Sequence, residues 1–320
     1  MMFNLSETST TKSEPRHTRV LVLGAGPAGL SAALYAARAE LHPIVLTGLQ
    51  PGGQASLTHT IENYPGFPEG VGGSELGELF QKQAERFGAA VEFDSAQSVD
   101  LSARPFRVTT DNGEYTADTL IISTGANPNH LNVPGEAELT GKGVSYCGTC
   151  DGWFFKDKEV VVVGGGDSAL EEGLFLTRFA TSVTIIHRRD KLRAGVILQK
   201  RAQDNPKIEY IWDTVVTEVI GTDKVTGVRL KNVKSGKERV FSTDGLFVFI
   251  GHTPNTKIFA GQLEMENGFI KVDERMHTSV PGVYAAGEAA DPHFKQVVIS
   301  AGMGAAAAME ATMFLEHAAG

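Results

Sequence analysis

Two cysteines separated by two residues carry the most obvious chemistry in this sequence. Cys147 and Cys150 are the only thiols of the 320-residue chain, and Asp151 follows the second of them. The spacing allows a small-ring disulfide, and thiols paired in this way often have a depressed pKa. A carboxyl group at Asp151, if partly shielded from water, can keep or supply a proton for a departing thiolate. Two alternatives stay open from the residues alone: half of a zinc site, for which His130 is a poor complement, or two inert buried thiols.

A glycine-rich segment occurs twice, each time between an apolar run and a helix-forming run. Residues 20–29 read VLVLGAGPAG and residues 160–169 read VVVVGGGDSA, a constant offset of 140 residues. In such a turn the first glycine makes the bend, the second lets the backbone approach a pyrophosphate, and the third position allows close helix–strand packing. The pyrophosphate then lies at the helix N-terminus, where free N–H groups favour an anion. The repeat predicts two dinucleotide-binding βαβ units; a turn that binds nothing is the alternative. The residues concerned are Gly24, Gly26 and Gly29, and Gly164, Gly166 and Ala169.

The residues after the second strand of each unit indicate which nucleotide it binds. An NAD site usually has Asp or Glu there, about 20 residues beyond the glycines, for the ribose hydroxyls. The second unit instead has His187, Arg188 and Arg189, with Arg193 close behind. Because arginine offers planar donors that match phosphate, these residues predict NADPH with its 2′-phosphate. The alternatives are a solvated basic patch and, for His187, a surface histidine. In the first unit the second strand ends at Thr47, which is neither acidic nor basic and does not indicate the nucleotide.

Two similar segments mark where the chain passes between the units. Residues 120–129 and 246–255 each read as a buried strand that runs into a Gly/Asn/Pro turn. They predict an α/β fold in which the second unit, residues 129–255, is inserted into the first, residues 1–128 and 256–320.

The composition excludes several classes of protein. With 38 acidic and 29 basic side chains the net charge is −9, which opposes general nucleic-acid binding and gives no reason to expect an anionic membrane as partner. No apolar run is expected to approach the ~20 residues of a membrane helix, and the Ala/Gly-rich residues 301–308 are too few. Residues 1–18 are polar, lack the apolar core of a secretory signal, and are predicted to be a frayed tail. Because the chain has only two cysteines, a reducing cytoplasm is the predicted location.

In their order along the chain, these motifs resemble those of a known enzyme family. The order is GAGPAG, GGQ, ENYPG, an STG turn, CGTCDG, GGGDSA, HRR, GHTPN and AAGE. From about residue 18 to residue 317 the chain is similar to the bacterial-type, low-molecular-weight thioredoxin reductases, which belong to class II of the pyridine nucleotide-disulfide oxidoreductases. Each motif alone is widespread in flavoproteins. The combination of CxxCDG inside the inserted unit with HRR behind it is specific to that group and its near relatives.

The resemblance implies an FAD domain and an NADPH domain, both Rossmann-like with three layers, a homodimer, and thioredoxin as protein substrate. It implies that Cys150 faces the flavin, Cys147 attacks the substrate disulfide, and Asp151 is the acid. It also implies that the inserted domain rotates, bringing either the nicotinamide or the disulfide to the flavin. The implied FAD contacts are Gly24, Gly26, Gly29, Gln54, Asn63, Gly287, Glu288 and Gln296. The implied NADPH contacts are Gly164, Gly166, His187, Arg188, Arg189 and Arg193. Alternatives are reduction of another thioredoxin-like or small-molecule disulfide, and a flavin redox sensor without turnover.

Three positions depart from the family's pattern. Glu288 stands where aspartate is usual and is one methylene longer, and Lys295 stands where arginine commonly precedes the glutamine. Gly148 replaces the usual alanine or serine and is expected to loosen the disulfide turn.

Three aromatic residues, Trp153, Phe154 and Phe155, follow the cysteines. In the family, aromatics here form part of the thioredoxin docking surface, whereas core packing is the more frequent fate of aromatics in general. Both interpretations stay open for Trp153 and Phe154, and Phe155 is predicted to lie in the core.

Overall fold

The computed structural model describes residues 14–58 and 60–318. Of the predicted tail, residues 1–13 lie outside the described residues. The end of that segment belongs instead to the first strand, β1 (Arg16–Leu23), whose first three residues align with residues 115–117 of a neighbouring strand. Residues 16–18 therefore belong to the sheet rather than to a frayed tail, because pairing within the sheet satisfies the backbone of these polar residues.

A seven-stranded sheet contains the first glycine-rich segment. Its strands are β1, β2 (Ile44–Leu46), β3 (Ala90–Glu92), β4 (Ala96–Asp100), β5 (Phe106–Thr110), β6 (Glu114–Ile122) and β19 (Val283–Ala285). The order is β3-β2-β1-β6-β5-β4, and β19 pairs with the end of β6. Strands β3, β2, β1, β6 and β19 are parallel, whereas β5 is antiparallel to both β4 and β6. The parallel strands thus direct their carboxyl ends to one edge, where ligands bind in open α/β sheets.

Three helices accompany this sheet: α1 (Pro27–Arg38), α2 (Gly73–Arg86) and α6 (Val297–Ala318). Helix α1 starts directly after the glycine turn that follows β1. Small residues let α6 lie close to α1, since a side chain at Gly304 would collide with the Ala28 carbonyl. This packing fixes the N-terminus of α1 at the carboxyl edge of the sheet.

A second, five-stranded parallel sheet contains the second glycine-rich segment. Its strands are β8 (Val144–Ser145), β9 (Glu159–Gly164), β10 (Ser182–Ile186), β11 (Ile208–Ile211) and β15 (Gly245–Phe249), in the order β11-β10-β9-β15-β8. Helix α4 (Asp167–Leu176) follows the glycine turn, and α5 (Val196–Gln203) follows β10. A three-stranded antiparallel sheet is formed by β12 (Thr214–Gly221), β13 (Val225–Asn232) and β14 (Glu238–Ser242).

The two apolar runs become the central strands of their sheets, buried on both faces. In β9, Val160 and Val162 belong to one buried cluster, and Val161 and Val163 to another. In β1 the residues alternate between two clusters in the same way. Side chains point to opposite faces of a strand in alternation, so a strand between two layers needs a continuous apolar run. The predicted α/β fold with two Rossmann-like units is confirmed.

Two short antiparallel strands connect the sheets: β7 (Ala126–Pro128) and β16 (His252–Pro254). They lie in the two segments predicted to carry the chain between the units. The four largest buried clusters each draw their residues either from 20–122 with 258–315 or from 131–249. We therefore propose, as the sequence predicts, domains of residues 1–128 with 256–320 and of residues 129–255. A further pair of two-residue strands is formed by β17 (Met265–Glu266) and β18 (Phe269–Ile270).

Helix α6 corrects the expectation about apolar segments. Among the described residues, Val297–His317 is the one helical stretch long and apolar enough to cross a membrane, with a mean hydropathy of 1.5. From the sequence, only residues 301–308 were considered as an apolar segment, and the apolar residues on both sides were not counted as part of the same helix. Ala307, Ala308 and Ala311 are fully buried in the same cluster as residues of α1, whereas 33% of the whole apolar window is buried.

Candidate active site

The two cysteines form a disulfide-bonded helical turn after the carboxyl end of β8. Cys147 and Cys150 are joined by a disulfide, with their Cα atoms 5.3 Å apart. Cys147 is the N-cap of the short helix α3 (Gly148–Asp151), and its Sγ accepts a hydrogen bond from the Cys150 backbone N–H at 3.1 Å. The Thr149 hydroxyl oxygen lies 3.4 Å from the same sulfur. The thiol pair predicted from the spacing is therefore present as a disulfide.

The zinc alternative does not fit these cysteines, because sulfurs joined in a disulfide are not thiolate ligands. His130, its suggested complement, instead places Nδ1 2.7 Å from the Tyr146 hydroxyl.

Asp151, the predicted acid, is held by a serine at the end of β8. The Ser145 hydroxyl donates to Asp151 Oδ2 at 2.6 Å. Burial raises the pKa of the Asp151 carboxyl, and the hydrogen bond from Ser145 opposes part of that rise. The neutral acid therefore persists to a higher pH than in an exposed aspartate, as a proton donor requires. Sequence reasoning missed Ser145, whose one signal was its position two residues before the first cysteine.

A half-buried glutamate of α4, Glu172, anchors the disulfide turn. Glu172 Oε2 accepts a hydrogen bond from the Thr149 backbone N–H at 3.1 Å. Burial raises the pKa of Glu172, and the backbone N–H groups of Thr149 and Gly148 oppose that rise. A side chain at Gly148 would collide with the Glu172 carboxylate. Gly148 thus allows α3 to pack closely on α4, a role that differs from the loosening expected from the sequence.

The FAD-side residues predicted from the resemblance meet the disulfide turn in a small cavity. Cys150 lines this cavity together with Asn63, Lys295 and Gln296. Asn63 Nδ2 donates to Gln296 Oε1 at 3.1 Å, and Gln296 Nε2 donates to Thr149 Oγ1 at 3.2 Å. The structure therefore brings Cys150, Asn63 and Gln296 together although they are far apart in sequence.

Asp291 shapes the loop that carries Lys295 and Gln296. Its carboxylate accepts hydrogen bonds from three successive backbone N–H groups, at residues 293–295. Lys295 has a φ of 52° and its Nζ lies 3.1 Å from Nδ1 of His252 in β16. Burial, with Lys295 nearby, lowers the pKa of His252 to about 4, so the neutral imidazole accepts from the ammonium group. The sequence identified neither Asp291 nor His252 as parts of the site.

The first glycine turn joins the end of β1 to the N-terminus of α1. Gly24 has a φ of 104° and a side chain there would collide with the Ser123 carbonyl. A side chain at Gly29 would meet the carbonyl of Gly24, so the helix packs directly on the turn. Gly26 is the N-cap of α1, and Thr124, which follows β6, has a buried hydroxyl without a hydrogen-bond partner among the described residues. An unpartnered polar atom beside a helix N-terminus fits a dinucleotide at this edge.

Three other predicted FAD contacts have defined environments. Gln54 donates through Nε2 to Asn127 Oδ1 at 2.8 Å, which places it against β7. Gly287, with a φ of 66°, packs on Ala28 of α1. Burial raises the pKa of Glu288 to about 7, and Lys295 opposes that rise. Gly287 and Glu288 therefore lie at the edge to which the α1 N-terminus points, whereas Gln54 lies at the connection between the units.

The second glycine turn has the same construction. A side chain at Gly164 would collide with the Phe249 carbonyl and approach Ala169, whereas the space around Gly166, the N-cap of α4, is open. A side chain at Gly165 would collide with the ring of His187. His187 is only 6% exposed, so the alternative of a surface histidine was wrong. Burial lowers its pKa, and its Nε2 has no hydrogen-bond partner among the described residues.

Three arginines surround the end of β10. Arg188, Arg189 and Arg193 are exposed, and within residues 14–58 and 60–318 none of them forms an ion pair with a carboxylate. The Arg193 backbone N–H donates to the Gly165 carbonyl at 2.6 Å, which ties this loop to the glycine turn. Unpaired guanidinium groups beside a dinucleotide turn fit an additional phosphate group.

The aromatic residues after the cysteines divide between surface and core. Trp153 and Phe154 are 53% and 43% exposed, and Lys156 lies over the Trp153 ring. Phe155 is buried and packs edge-on against Phe247, as predicted. Trp153 and Phe154 therefore expose apolar surface shortly after the second cysteine in the sequence.

A comparison with protein families shows to which family the chain belongs. Residues 18–304 match the family of pyridine nucleotide-disulphide oxidoreductases. The chain belongs to this family. The assignment covers both glycine turns and the disulfide, and it makes the chain an oxidoreductase that works with a pyridine nucleotide and a disulfide; use of a flavin is implied with it.

Several members of the family resemble the chain over nearly its whole length. The thioredoxin reductase of Rickettsia felis is 51% identical over 304 residues, which cover 93% of this chain and 98% of the relative. The solved structure of thioredoxin reductase from Giardia duodenalis is 42% identical with a TM-score of 0.90, covering 94% of this chain and 99% of its own. The Lactococcus lactis thioredoxin reductase in its FR conformation is 41% identical with the same coverage of both chains, but its TM-score is 0.64.

Proposed function

We propose that this disulfide reductase uses NADPH and FAD to reduce oxidised thioredoxin through the Cys147–Cys150 disulfide. The observation that carries the proposal is the position of Cys150. The cysteine belongs to the inserted NADPH unit but lines a cavity with Asn63, Lys295 and Gln296 of the other unit. When bound at the first glycine turn, FAD would relay two electrons between a nicotinamide hydride and sulfur.

The chain's own residues supply the remaining chemistry. Cys147 attacks a disulfide of thioredoxin to give a mixed disulfide, which Cys150 resolves, so that two thiols of the substrate are released. Asp151, with its raised pKa and its hydrogen bond from Ser145, holds the proton that this exchange requires. Trp153 and Phe154 offer thioredoxin an apolar surface next to the disulfide.

A rotation of the inserted unit is part of this proposal, and the positions of the two sites support it. The disulfide lies beside the FAD-side residues, so the nicotinamide can reach the flavin only if the second unit turns. Two solved relatives are nearly equally identical to this chain and cover it equally, but their TM-scores against it are 0.90 and 0.64. This contrast supports a different arrangement of the two units in the second relative, rather than a different fold of either unit. Gly125 and Gly251, beside β7 and β16, have φ values of 67° and 104°, and both positions suit a hinge.

The type of nicotinamide nucleotide is proposed from the arginines. Arg188, Arg189 and Arg193 present free guanidinium groups where an NAD site would carry an acid. NADPH is therefore the proposed donor. A homodimer and a cytoplasmic location remain predictions from the resemblance and from the small number of cysteines.

The decisive experiment measures NADPH oxidation by the purified, flavin-loaded protein, with and without oxidised thioredoxin from the same source. We expect thioredoxin-dependent turnover, and we expect Cys147→Ser to abolish it while NADPH still reduces the flavin. If NADPH reduces the flavin but thioredoxin adds nothing, another disulfide is the substrate. A flavin that NADPH does not reduce would support a sensor without turnover, and thioredoxin reduction by Cys147→Ser would refute the assigned role of this cysteine.

A further inference from the structure

A chain of side-chain hydrogen bonds runs from the FAD-side residues to one sulfur of the disulfide. Its steps are Asn63 to Gln296 at 3.1 Å, Gln296 to Thr149 at 3.2 Å, and Thr149 to Cys147 Sγ at 3.4 Å. The first two residues belong to the first unit, and the last two belong to the inserted one. This series of hydrogen bonds therefore exists only while the disulfide turn lies against Asn63 and Gln296.

The direction of every donor in this chain is fixed. Gln296 Nε2 also lies 3.2 Å from the Phe294 carbonyl oxygen, which can only accept, so the amide nitrogen must face that carbonyl and Thr149. Gln296 Oε1 then faces Asn63, which must donate through Nδ2. Since Thr149 Oγ1 accepts from Gln296 and a disulfide sulfur has no proton, the Thr149 hydroxyl donates to Cys147 Sγ.

The hydrogen bonds to the disulfide thus favour one of its sulfurs. Cys147 Sγ receives the Thr149 hydroxyl and also the Cys150 backbone N–H at 3.1 Å. Donors stabilise a sulfur more strongly when it becomes a thiolate.

We propose that Thr149, oriented by the positioning residues Gln296 and Asn63, stabilises Cys147 as the thiolate when the disulfide is reduced beside the FAD side. The inference rests on the proposed function, in which reduction takes place in this pose. Two electrons break the Cys147–Cys150 bond and, with one proton taken up, leave a thiol at Cys150 and a thiolate at Cys147. NADPH, by way of a bound flavin, would supply the two electrons. Once the inserted unit turns away, Thr149 leaves Gln296 behind, and Cys147 becomes a less stabilised and more nucleophilic thiolate when it meets thioredoxin.

The test compares Thr149→Val, which removes the hydroxyl at nearly constant shape, with Thr149→Ser, which keeps it. The flavin-loaded proteins are reduced with dithiothreitol, freed of it without air, and treated briefly with iodoacetamide over a pH series. Peptide mass spectrometry then gives the alkylation rate of each cysteine. We expect Thr149→Val to lower the thiolate fraction of Cys147 about three- to tenfold at pH values near its pKa, and Thr149→Ser to match the unchanged protein.

A second comparison tests the role of Gln296 in the same assay. Gln296→Leu, examined at equal flavin content, should lower the Cys147 thiolate fraction by itself and add nothing in the Thr149→Val background. An unchanged Cys147 profile in Thr149→Val, an equal shift in Thr149→Ser, or a shift at Cys150 instead would overturn the proposal. If Gln296→Leu still lowers the Cys147 thiolate fraction in the Thr149→Val background, Gln296 does not act through the Thr149 hydroxyl. Neither NADPH nor thioredoxin enters the assay, so its failure is distinct from failure of the proposed function.

Discussion

Replacing Ser145 by alanine should shift the titration of Asp151 upward. The serine is buried, 4% exposed, and its hydroxyl lies 2.6 Å from Asp151 Oδ2. A hydrogen bond to a charged group contributes about 1.5–3 kcal/mol, and one pKa unit corresponds to about 1.4 kcal/mol. Because Asp151 keeps some solvent contact that compensates in part, we expect the lower end, a rise of about one unit in the pKa of Asp151.

The assay is the pH dependence of thioredoxin reduction at saturating substrates. If Asp151 must be protonated to donate, activity falls as the pH rises through its pKa, and Ser145→Ala moves this basic limb about one unit higher. Ser145→Thr keeps a hydroxyl and should leave the limb in place, whereas Asp151→Asn should remove it. A limb that stays unchanged in Ser145→Ala, or moves to lower pH, would refute the role of this hydrogen bond.

Three further changes test other parts of the site and fold. Replacing Arg188 and Arg189 together by glutamine should raise the KM for NADPH about ten- to a hundredfold and barely alter that for NADH, because only the 2′-phosphate is lost as a partner; equal losses in steady-state assays would mean a structural role. Glu172→Ala should lower the free energy of unfolding by about 1–2 kcal/mol relative to Glu172→Gln, which keeps an acceptor for the Thr149 N–H; equal urea denaturation midpoints would argue against the anchor. Gly304→Ala should destabilise the fold by about 1–3 kcal/mol because of the Ala28 carbonyl. Its control, Gly302→Ala, meets nothing within 4 Å and should stabilise α6 by about 0.5–1 kcal/mol; thermal unfolding that ranks the two variants the other way would contradict the packing.

The sequence predicts both dinucleotide units well because their signals are local. The valine run of β9, the turn at Gly164 and the helix α4 follow one another directly, and each residue type has a reason at its own position. The same pattern 140 residues earlier makes the interpretation much stronger. The segments with β7 and β16 are similar to each other for the same local reason, a glycine after a buried strand.

The contacts around the disulfide could not be predicted in this way. Glu172 is half-buried and the neighbouring Glu171 on the same helix is exposed, and the sequence alone does not distinguish the two glutamates. Gln296 meets Thr149 across 147 residues of sequence, a contact that depends on how the two units lie against each other. His187 is likewise buried because its ring packs against the glycine turn at Gly165. The residues next to His187 in the sequence do not indicate this contact.

The side-by-side course of β7 and β16 makes the inserted unit a separable module. Pro128 and His252 are direct partners across this antiparallel pair, so the chain leaves the first unit and returns to it at neighbouring points. Cutting at both points would leave two ends that a short turn can join, because hairpin partners need only a few residues between them. A different dinucleotide-binding unit with adjacent termini could be spliced in at the same place, and the seven-stranded sheet would keep its own strand order. If the proposed division into domains holds, such a replacement would exchange the proposed electron donor without any change at the arginines.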